Sequence, residues 1–358
     1  MPDVSIVMAV YNGERYLREA LESVLAQSFE AFECVIVDDA STDKTPEILA
    51  EYAARDARVR VFRNEKNRKL AHSLNRGVAQ ARGKYIARMD ADDICLRDRL
   101  ERQYAFMEQH PEIGVASCRF FALRGNTLLP TGVGRACDAD SMKAMFLFFD
   151  PVLHPGVIAR AELMRRYPYD PACTCTEDMD LWVRMLRDGV RFAGNKEYLM
   201  LYRMHEKSIS ATTKERQGLE MQKIAAGLYR DLLFPLSKEE LVFYINYVYF
   251  PERCELSALY RFYQKILAAN AQRKSFVRGA IRRALFEVLA EYHRRGILRR
   301  RQALSLLRFG AVSAWLQNKA RARRDMRLAE AAARAAGFAR DRAHTMRWLI
   351  DDRRDENE

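Results

Sequence analysis

An alternation that fills the first 110 residues constrains this chain more than any other feature. "VSIVMA" (4–9) is a continuous apolar run, the pattern of a strand covered on both faces. "NGERYLREALESVLAQ" (12–27) follows, with Tyr16, Leu17, Ala20, Leu21, Val24 and Leu25 spaced to share one helical face. The pattern then repeats. "ECVIVDDAS" (33–41) reads as a strand, and "DKTPEILAEYAARD" (43–56) as a helix with Pro46 in its first turn. "VRVF" (59–62) is a third strand, and "KLAHSLNRGVAQARG" (69–83) a helix closed by Gly83. "KYIARM" (84–89) is a fourth strand, and "LRDRLERQYAFMEQH" (96–110) a helix stopped ahead of Pro111. Such alternation predicts an α/β fold with a mainly parallel central sheet. Ligands of such sheets gather beyond the C-terminal ends of the strands.

From about 113 to 210 the pattern is mixed. "GVASCRFFALRGN" reads as strand then turn and "DADSMKAMFLFF" as a short helix. "TEDMDLWVRMLRDG" reads as a helix with Thr176 at its N-cap and Gly189 at its stop, and "VRFAG" and "YLMLYR" as two short strands. Beyond about 214 helical patterns dominate to 340. The expected division is therefore 1–213, an α/β domain, and 214–358, a basic α-helical C-terminal region. Residues 271–358 carry 22 Lys and Arg against 10 Asp and Glu, a net of +12 that equals the whole chain's, so the remainder is neutral. No apolar run approaches the eighteen or so residues of a membrane-spanning helix. The chain opens on a strand with no basic-then-apolar leader, and its seven cysteines are odd in number and scattered. Both features point to a cytosolic protein with reduced thiols. Cys173 and Cys175 lack a second Cys/His pair at zinc spacing.

In "YIARMDADDI" (85–94), Asp90, Asp92 and Asp93 crowd into four positions where a strand leaves the core. Like charges that close resist ionisation, so positive charge should sit there. Asp38 and Asp39 end the second strand at the same side of the predicted sheet. Each of these runs also has a plainer reading as a strand-to-helix turn whose acids cap the following helix.

Four stretches in order, "SIVMAVYNGERYLREALESVLAQSF", "VIVDDASTD", "GKYIARMDADD" and "TEDMDLWVRM", resemble glycosyltransferase family 2, the inverting enzymes of GT-A fold. The resemblance covers roughly residues 3 to 210. It implies a hexosyltransferase-type activity with a nucleoside-diphosphate sugar, UDP-linked by expectation, as donor. It places Asp92 on a divalent metal, Mn2+ or Mg2+, and Asp90 on the ribose or in the metal shell beside Ala91, while Asp93 braces the loop. A hard cation with oxygen ligands suits a departing diphosphate. Asp39 would accept the imide N–H of uracil, with Asp38 beside it. The backbone of Ala9, Val10 and Tyr11 would meet the base, and Tyr11 would stack on it. Arg68 and Lys69 would contact phosphate or nucleotide. Asp178 would be the general base that an inverting transfer needs opposite the leaving group.

His154, ahead of a Pro-Gly turn, and Glu177 fall on the acceptor side. Arg203 and His205, in "YRMHEKSIS" (202–210), resemble the family's closing segment over the pyrophosphate, with His205 as a further metal ligand. The acceptor would be a glycan or lipid-linked hydroxyl in envelope or capsular polysaccharide synthesis. Residues 271–358 would then dock peripherally on the anionic inner face of the plasma membrane, or simply form a solvated helical appendage. Arginines without a recognisable RNA module do not point to nucleic acid. Two other readings share this layout: a polyprenyl-phosphate sugar synthase, and a degenerate scaffold docked on membrane. A nucleotidyltransferase would show a Gly-rich basic loop after the first strand, which "AVYNGERY" does not resemble.

Overall fold

A computed structural model of the chain describes residues 1–125, 127–130, 138–205, 213–249 and 255–294. The opening elements are β1 (Val4–Val10), α1 (Leu17–Leu25), β2 (Phe32–Asp38), α2 (Thr45–Arg55), β3 (Val59–Arg63), α3 (Lys69–Gln80) and β4 (Tyr85–Arg88). There follow β5 (Ile94–Cys95), α4 (Arg99–Gln109), β6 (Val115–Arg124), β7 (Thr127–Pro130) and α5 (Ala139–Met145). A single 3-10 turn at His154–Gly156 leads into β8 (Val157–Arg160), α6 (Ala161–Arg166), α7 (Glu177–Arg187) and β9 (Phe192–Arg203). Helices α8 (Lys214–Leu232), α9 (Lys238–Tyr249), α10 (Leu256–Arg273) and α11 (Arg278–Arg294) complete the described chain. The tail from 295 onward and the segment 206–210 of the expected closing loop lie outside the described residues.

The strands form one sheet in the order β3-β2-β1-β4-β8-β6-β9-β5, with β7 added to β6. From β3 to β4 all neighbours are parallel, as the strand–helix alternation predicts. Beyond β4 the pairing is mixed: β8 is antiparallel to β4 and to β6, while β9 is parallel to β6. Antiparallel pairs need no covering crossover helix, and their partners lie far apart in sequence, so no local pattern announces them. The two short strands expected at 190–194 and 198–203 are one twelve-residue strand, β9. Its register against β6 shifts between Ser117 and Phe120, which absorbs the polar interruption at Asn195–Glu197.

The pleat divides the core. Val4, Ile6, Met8 and Val10 of β1 pack with Leu17, Leu21 and Val24 of α1 and with Leu49 and Tyr52 of α2. Val7 faces the other way, against Ala71, Leu74 and Val78 of α3. That second face continues without a break into the C-terminal helices. Trp182 of α7 and Phe146 share one buried cluster with Leu228 and Tyr229 of α8, Tyr244 of α9, Ile266 of α10 and Ile281 of α11. The Tyr229 hydroxyl donates to the Leu147 carbonyl at 2.5 Å. Fully buried side chains such as Leu228, Ile266 and Ile281 each contribute roughly 1.5–3 kcal/mol. Ion pairs at an exposed seam would contribute only ~0–1 kcal/mol each. The helices up to Arg294 are therefore packed onto the α/β layer and not merely tethered to it.

Of two helix ends assigned to glycines, one follows expectation and one departs from it. Helix α7 does stop at Gly189, with φ +84°. Helix α3, however, ends at Gln80, and Gly83 serves a different need. A Cβ there would lie 2.6 Å from the Ser5 nitrogen and 2.8 Å from the Val4 carbonyl carbon. Its own N–H donates to Ser5 Oγ at 2.8 Å. Glycine is required by the close approach of two backbones, not by a left-handed turn. Gly83→Ala should lower stability by about 1–3 kcal/mol, as overpacking does, seen as a fall in the urea midpoint at unchanged slope. An unchanged midpoint would show that β1 yields to the added methyl.

Candidate active site

Two loops at the C-terminal edge of β1 and β2 are stitched to one another. Ser41 Oγ accepts from Asn12 N at 2.9 Å, and Asn12 Oδ1 accepts from Thr42 N at 2.9 Å. Asp43 does meet the start of α2, accepting from Thr45 N at 2.9 Å, and it also accepts from Glu14 N at 3.1 Å. Asn12 and Ala40 both sit at positive φ, +51° and +61°. Asp38 accepts from Ser41 N at 2.9 Å, with Arg63 Nε 3.4 Å from its other oxygen.

Asp39 is buried and organises the next loop. Its Oδ1 accepts from Asn64 Nδ2 at 2.7 Å and from Arg68 N at 2.8 Å. Its Oδ2 accepts from Lys69 N at 2.8 Å. The backbone N–H groups of Arg68 and Lys69, two residues the sequence singled out, are thus both bound by Asp39. Both side chains point to solvent, and Lys69 has φ +69°. Ala9 and Val10 end β1, where the Val10 carbonyl accepts from Asp39 N at 2.8 Å. Tyr11, 50% exposed, stands at the rim with its ring free to be covered.

The acid turn follows β4. Carboxylate oxygens of Asp90, Asp92 and Asp93 lie within 4.8 Å of one another. Burial, then Asp90, pushes the Asp92 carboxyl above the usual carboxylate range, while His205 pulls it back. Asp93 is held well above that range by burial and by both neighbouring acids. Asp93 Oδ2 is buried and accepts no hydrogen bond among the described residues. This set of crowded hard oxygen donors with an orphaned buried acceptor fits Mg2+ or Mn2+.

The end of β9 braces the turn. His205 Nε2 lies 2.8 Å from Asp92 Oδ2. Arg203 N donates to Asp93 Oδ1 at 2.8 Å, and its Nε donates to the Asp92 carbonyl at 2.7 Å. Its Nη2 meets Glu19 Oε2 at 2.5 Å, and its guanidinium lies 4.5 Å from the Tyr16 ring centroid. The guanidinium expected over a pyrophosphate is thus engaged with the acid turn and α1.

Asp178 and Glu177 open α7, with Asp178 Oδ1 accepting from Met179 N at 2.8 Å. His154 Nδ1 lies 3.9 Å from Asp178 Oδ2, and its Nε2 lies 2.8 Å from the Tyr169 hydroxyl. Asn75 fixes Tyr169 by a reciprocal pair of bonds to its backbone, at 2.8 and 2.9 Å. Burial holds His154 well below its ordinary pKa, with the Arg88 charge adding to the effect, so it is neutral near pH 7. Burial raises Asp178, and Arg88 opposes that rise. A quarter of the Asp178 side chain still reaches solvent.

Arg88 is the residue that motif reading missed. It ends β4, is 3% exposed, and lies 2.5 Å through Nη1 from Asp90 Oδ2. The contact is charge to charge and is not aligned as a hydrogen bond, since Nε and Nη1 have no hydrogen-bond partner among the described residues. Its charge is also felt by Glu177, Asp178, His154 and Tyr169. One buried guanidinium thus joins the acid turn to the α7 carboxylates. The available signal was an arginine in a strand whose other residues are apolar or small. Asp170, Cys173 and Asp180 form a second group near the surface, but Asp180 is taken by Arg184 at 2.8 Å.

Comparison with known proteins agrees with this geometry. Residues 5–160 match the family described as Glycosyl transferase family 2, and residues 85–317 match Glycosyl transferase family group 2. The EpsE glycosyltransferase of Bacillus subtilis is 37% identical over 216 residues, 58% of this chain and 74% of EpsE. Among solved structures, S. aureus TarS 1-349 in complex with UDP-GlcNAc superposes with TM-score 0.55 at 17% identity, covering 83% of this chain and 92% of that one. Mannosyltransferase PcManGT of Pyrobaculum calidifontis, in complex with GDP-Man and Mn2+, gives 0.53 at 18% identity over 98% of this chain and 88% of its own. These two show the fold.

Glu177 gives a pH test of the buried carboxylate group. Burial, then the Asp178 charge, pushes it up to about 7. The unfolded chain releases that proton near pH 4.3. Between these values the unfolded state binds fewer protons, so stability falls as pH rises through the window. With EDTA present, Glu177→Gln should match wild type near pH 4 and exceed it at pH 8 by on the order of 3–4 kcal/mol, read from urea midpoints. Equal midpoints at both pH values would mean that Glu177 is solvated.

Proposed function

Given that the chain belongs to glycosyl transferase family 2, we propose that it moves a sugar from a UDP-linked donor to an acceptor hydroxyl with inversion, in polysaccharide or lipid-linked glycan synthesis. The observation that carries this reading is Arg88, which couples the acid turn at Asp90 to Asp178 across one buried charge network. The donor lies along the C-terminal edge of β1 and β2. Asp39 Oδ2, with a single hydrogen bond among the described residues, has a lone pair for the uracil imide N–H. Tyr11 covers the base. UDP and GDP donors both occur on this fold, in the TarS and PcManGT complexes, so the fold alone does not choose the base.

Asp92 and Asp90, with His205 adjoining, hold a divalent cation, Mn2+ or Mg2+, which when bound neutralises the charge that appears on the diphosphate. Asp178 takes the proton of the acceptor hydroxyl as its oxygen bonds to the anomeric carbon. The bond from that carbon to the diphosphate oxygen breaks on the opposite face, and the nucleoside diphosphate leaves with the electron pair. Partial burial raises Asp178 toward working pH, which suits a base. The Arg88 charge favours its ionised form, with neutral His154 beside it. The basic residues after 271 dock on anionic lipid, where a lipid-linked acceptor is held. No described helix is long and apolar enough to cross a membrane.

Thermal shift with UDP and GDP, each with and without Mn2+, tests the donor side. UDP should stabilise wild type only with metal, and Asp92→Ala should abolish the shift. Stabilisation by GDP alone would overturn the choice of base. Asp178→Asn should keep that shift while lowering turnover by on the order of 10²–10⁴-fold. Retained turnover would instead favour a phosphate acceptor, as in polyprenyl-phosphate sugar synthesis. Co-sedimentation with phosphatidylglycerol vesicles should be lost when residues 295–358 are removed, and binding that survives would assign it elsewhere.

A further inference from the structure

Helix α8 belongs to the region expected as an appendage, yet one of its side chains reaches the active-site loop. Glu220 Oε2 accepts from Cys175 N at 3.1 Å and from Thr176 Oγ1 at 2.9 Å. Its Oε1 accepts from Thr174 Oγ1 at 3.0 Å and from Thr174 N at 3.4 Å. Three consecutive residues thus converge on one carboxylate. They are the three that lead into Glu177 and Asp178.

The local chemistry shows what this arrangement displaces. Thr176 stands at the N-cap of α7, where a hydroxyl ordinarily accepts from a first-turn N–H. Here it makes no such bond and donates to Glu220 instead. The start of α7 is therefore fixed from outside, by a helix later in the chain. Burial alone would raise Glu220, but the bonds from Thr176, Cys175 and Thr174 outweigh it and hold it below the usual carboxylate range. Glu220 is thus ionised near neutrality and accepts at both oxygens. Arg216, one turn earlier on α8, adds a contact at 3.3 Å.

We propose that Glu220 is a positioning residue for transfer, acting through the 174–176 loop to aim Asp178, and that α8 is accordingly part of the catalytic unit. This rests on the reading of Asp178 as the base. Among the described residues Asp178 accepts a hydrogen bond from the adjacent Met179 N alone, with His154 at 3.9 Å, so its direction depends on the loop before it. Among the described residues the partners of Glu220 are Thr174, Cys175, Thr176 and Arg216, none of them at the donor edge or the acid turn.

The test uses the full chain with Mn2+ and a panel of UDP-glucose, UDP-galactose and UDP-GlcNAc, following UDP release to water or to added acceptor. Glu220→Ala should lower kcat at least 10-fold while leaving the donor KM and the UDP–Mn2+ thermal shift within about twofold of wild type. Glu220→Gln, which loses one acceptor oxygen, should fall between, and Glu220→Asp should recover much of the rate. The retained thermal shift verifies that the variants fold. A kcat within twofold of wild type in Glu220→Ala overturns the proposal. So does a loss shared equally by kcat, donor KM and the thermal shift, which would make Glu220 a general support. Asp178→Asn, run alongside, separates the two layers: if it is as active as wild type, the base assignment fails. If it is impaired while Glu220→Ala is not, only the positioning role fails.

Discussion

Three carboxylates in four positions at the end of a buried strand cannot stay ionised without opposing charge, and most of this molecule's polar design answers that need. Relief comes from three directions. Arg88 approaches Asp90 from beneath, within the strand itself. His205 closes on Asp92 from the end of β9. Arg203 ties the main chain of the turn to α1 through Glu19. Each of these residues also touches or senses something else, so satisfying the turn links β4, β9, α1 and α7 in one electrostatic unit.

The nucleotide edge is built on another principle. There the carboxylates serve as acceptors for backbone N–H groups of loops, their own or a neighbouring one. Asp39 holds residues 64–69, Asp43 joins the β1 loop to the start of α2, and Asp38 closes its own turn. Loops held by charge-assisted bonds can keep strained backbone, and Asn12, Ala40 and Lys69 all keep positive φ here. Rigid loops around an open aromatic rim suit the recognition of a flat, polar ligand.

The parallel half of the sheet was legible because each strand and helix declares itself locally, by period and by punctuation such as Pro46. The antiparallel half was not, since β8 and β6 find partners by contacts distant in sequence. The acids at 38–39, 90–93 and 177–178 were visible as clusters at strand or helix ends. Their supports were not. Arg88 looks like one arginine among many until its strand is known to be buried. Thr176 looks like a cap until Glu220, forty-four positions later, is known to lie beside it. Gly83 looks like a helix stop because local reasoning sees conformation and not the approach of β1. What escaped was in every case a contact between segments far apart in the chain.

The unbroken apolar layer from Trp182 to Ile281 has a consequence for how such proteins diverge and for how they can be recombined. A chimera joined after residue 213 would receive a foreign surface against Trp182, Phe146 and Phe192. It would hold together only if the incoming helices reproduced the shape of that surface. Exchange of the helical half between relatives is therefore constrained by volume complementarity, and the two halves are expected to have changed in step.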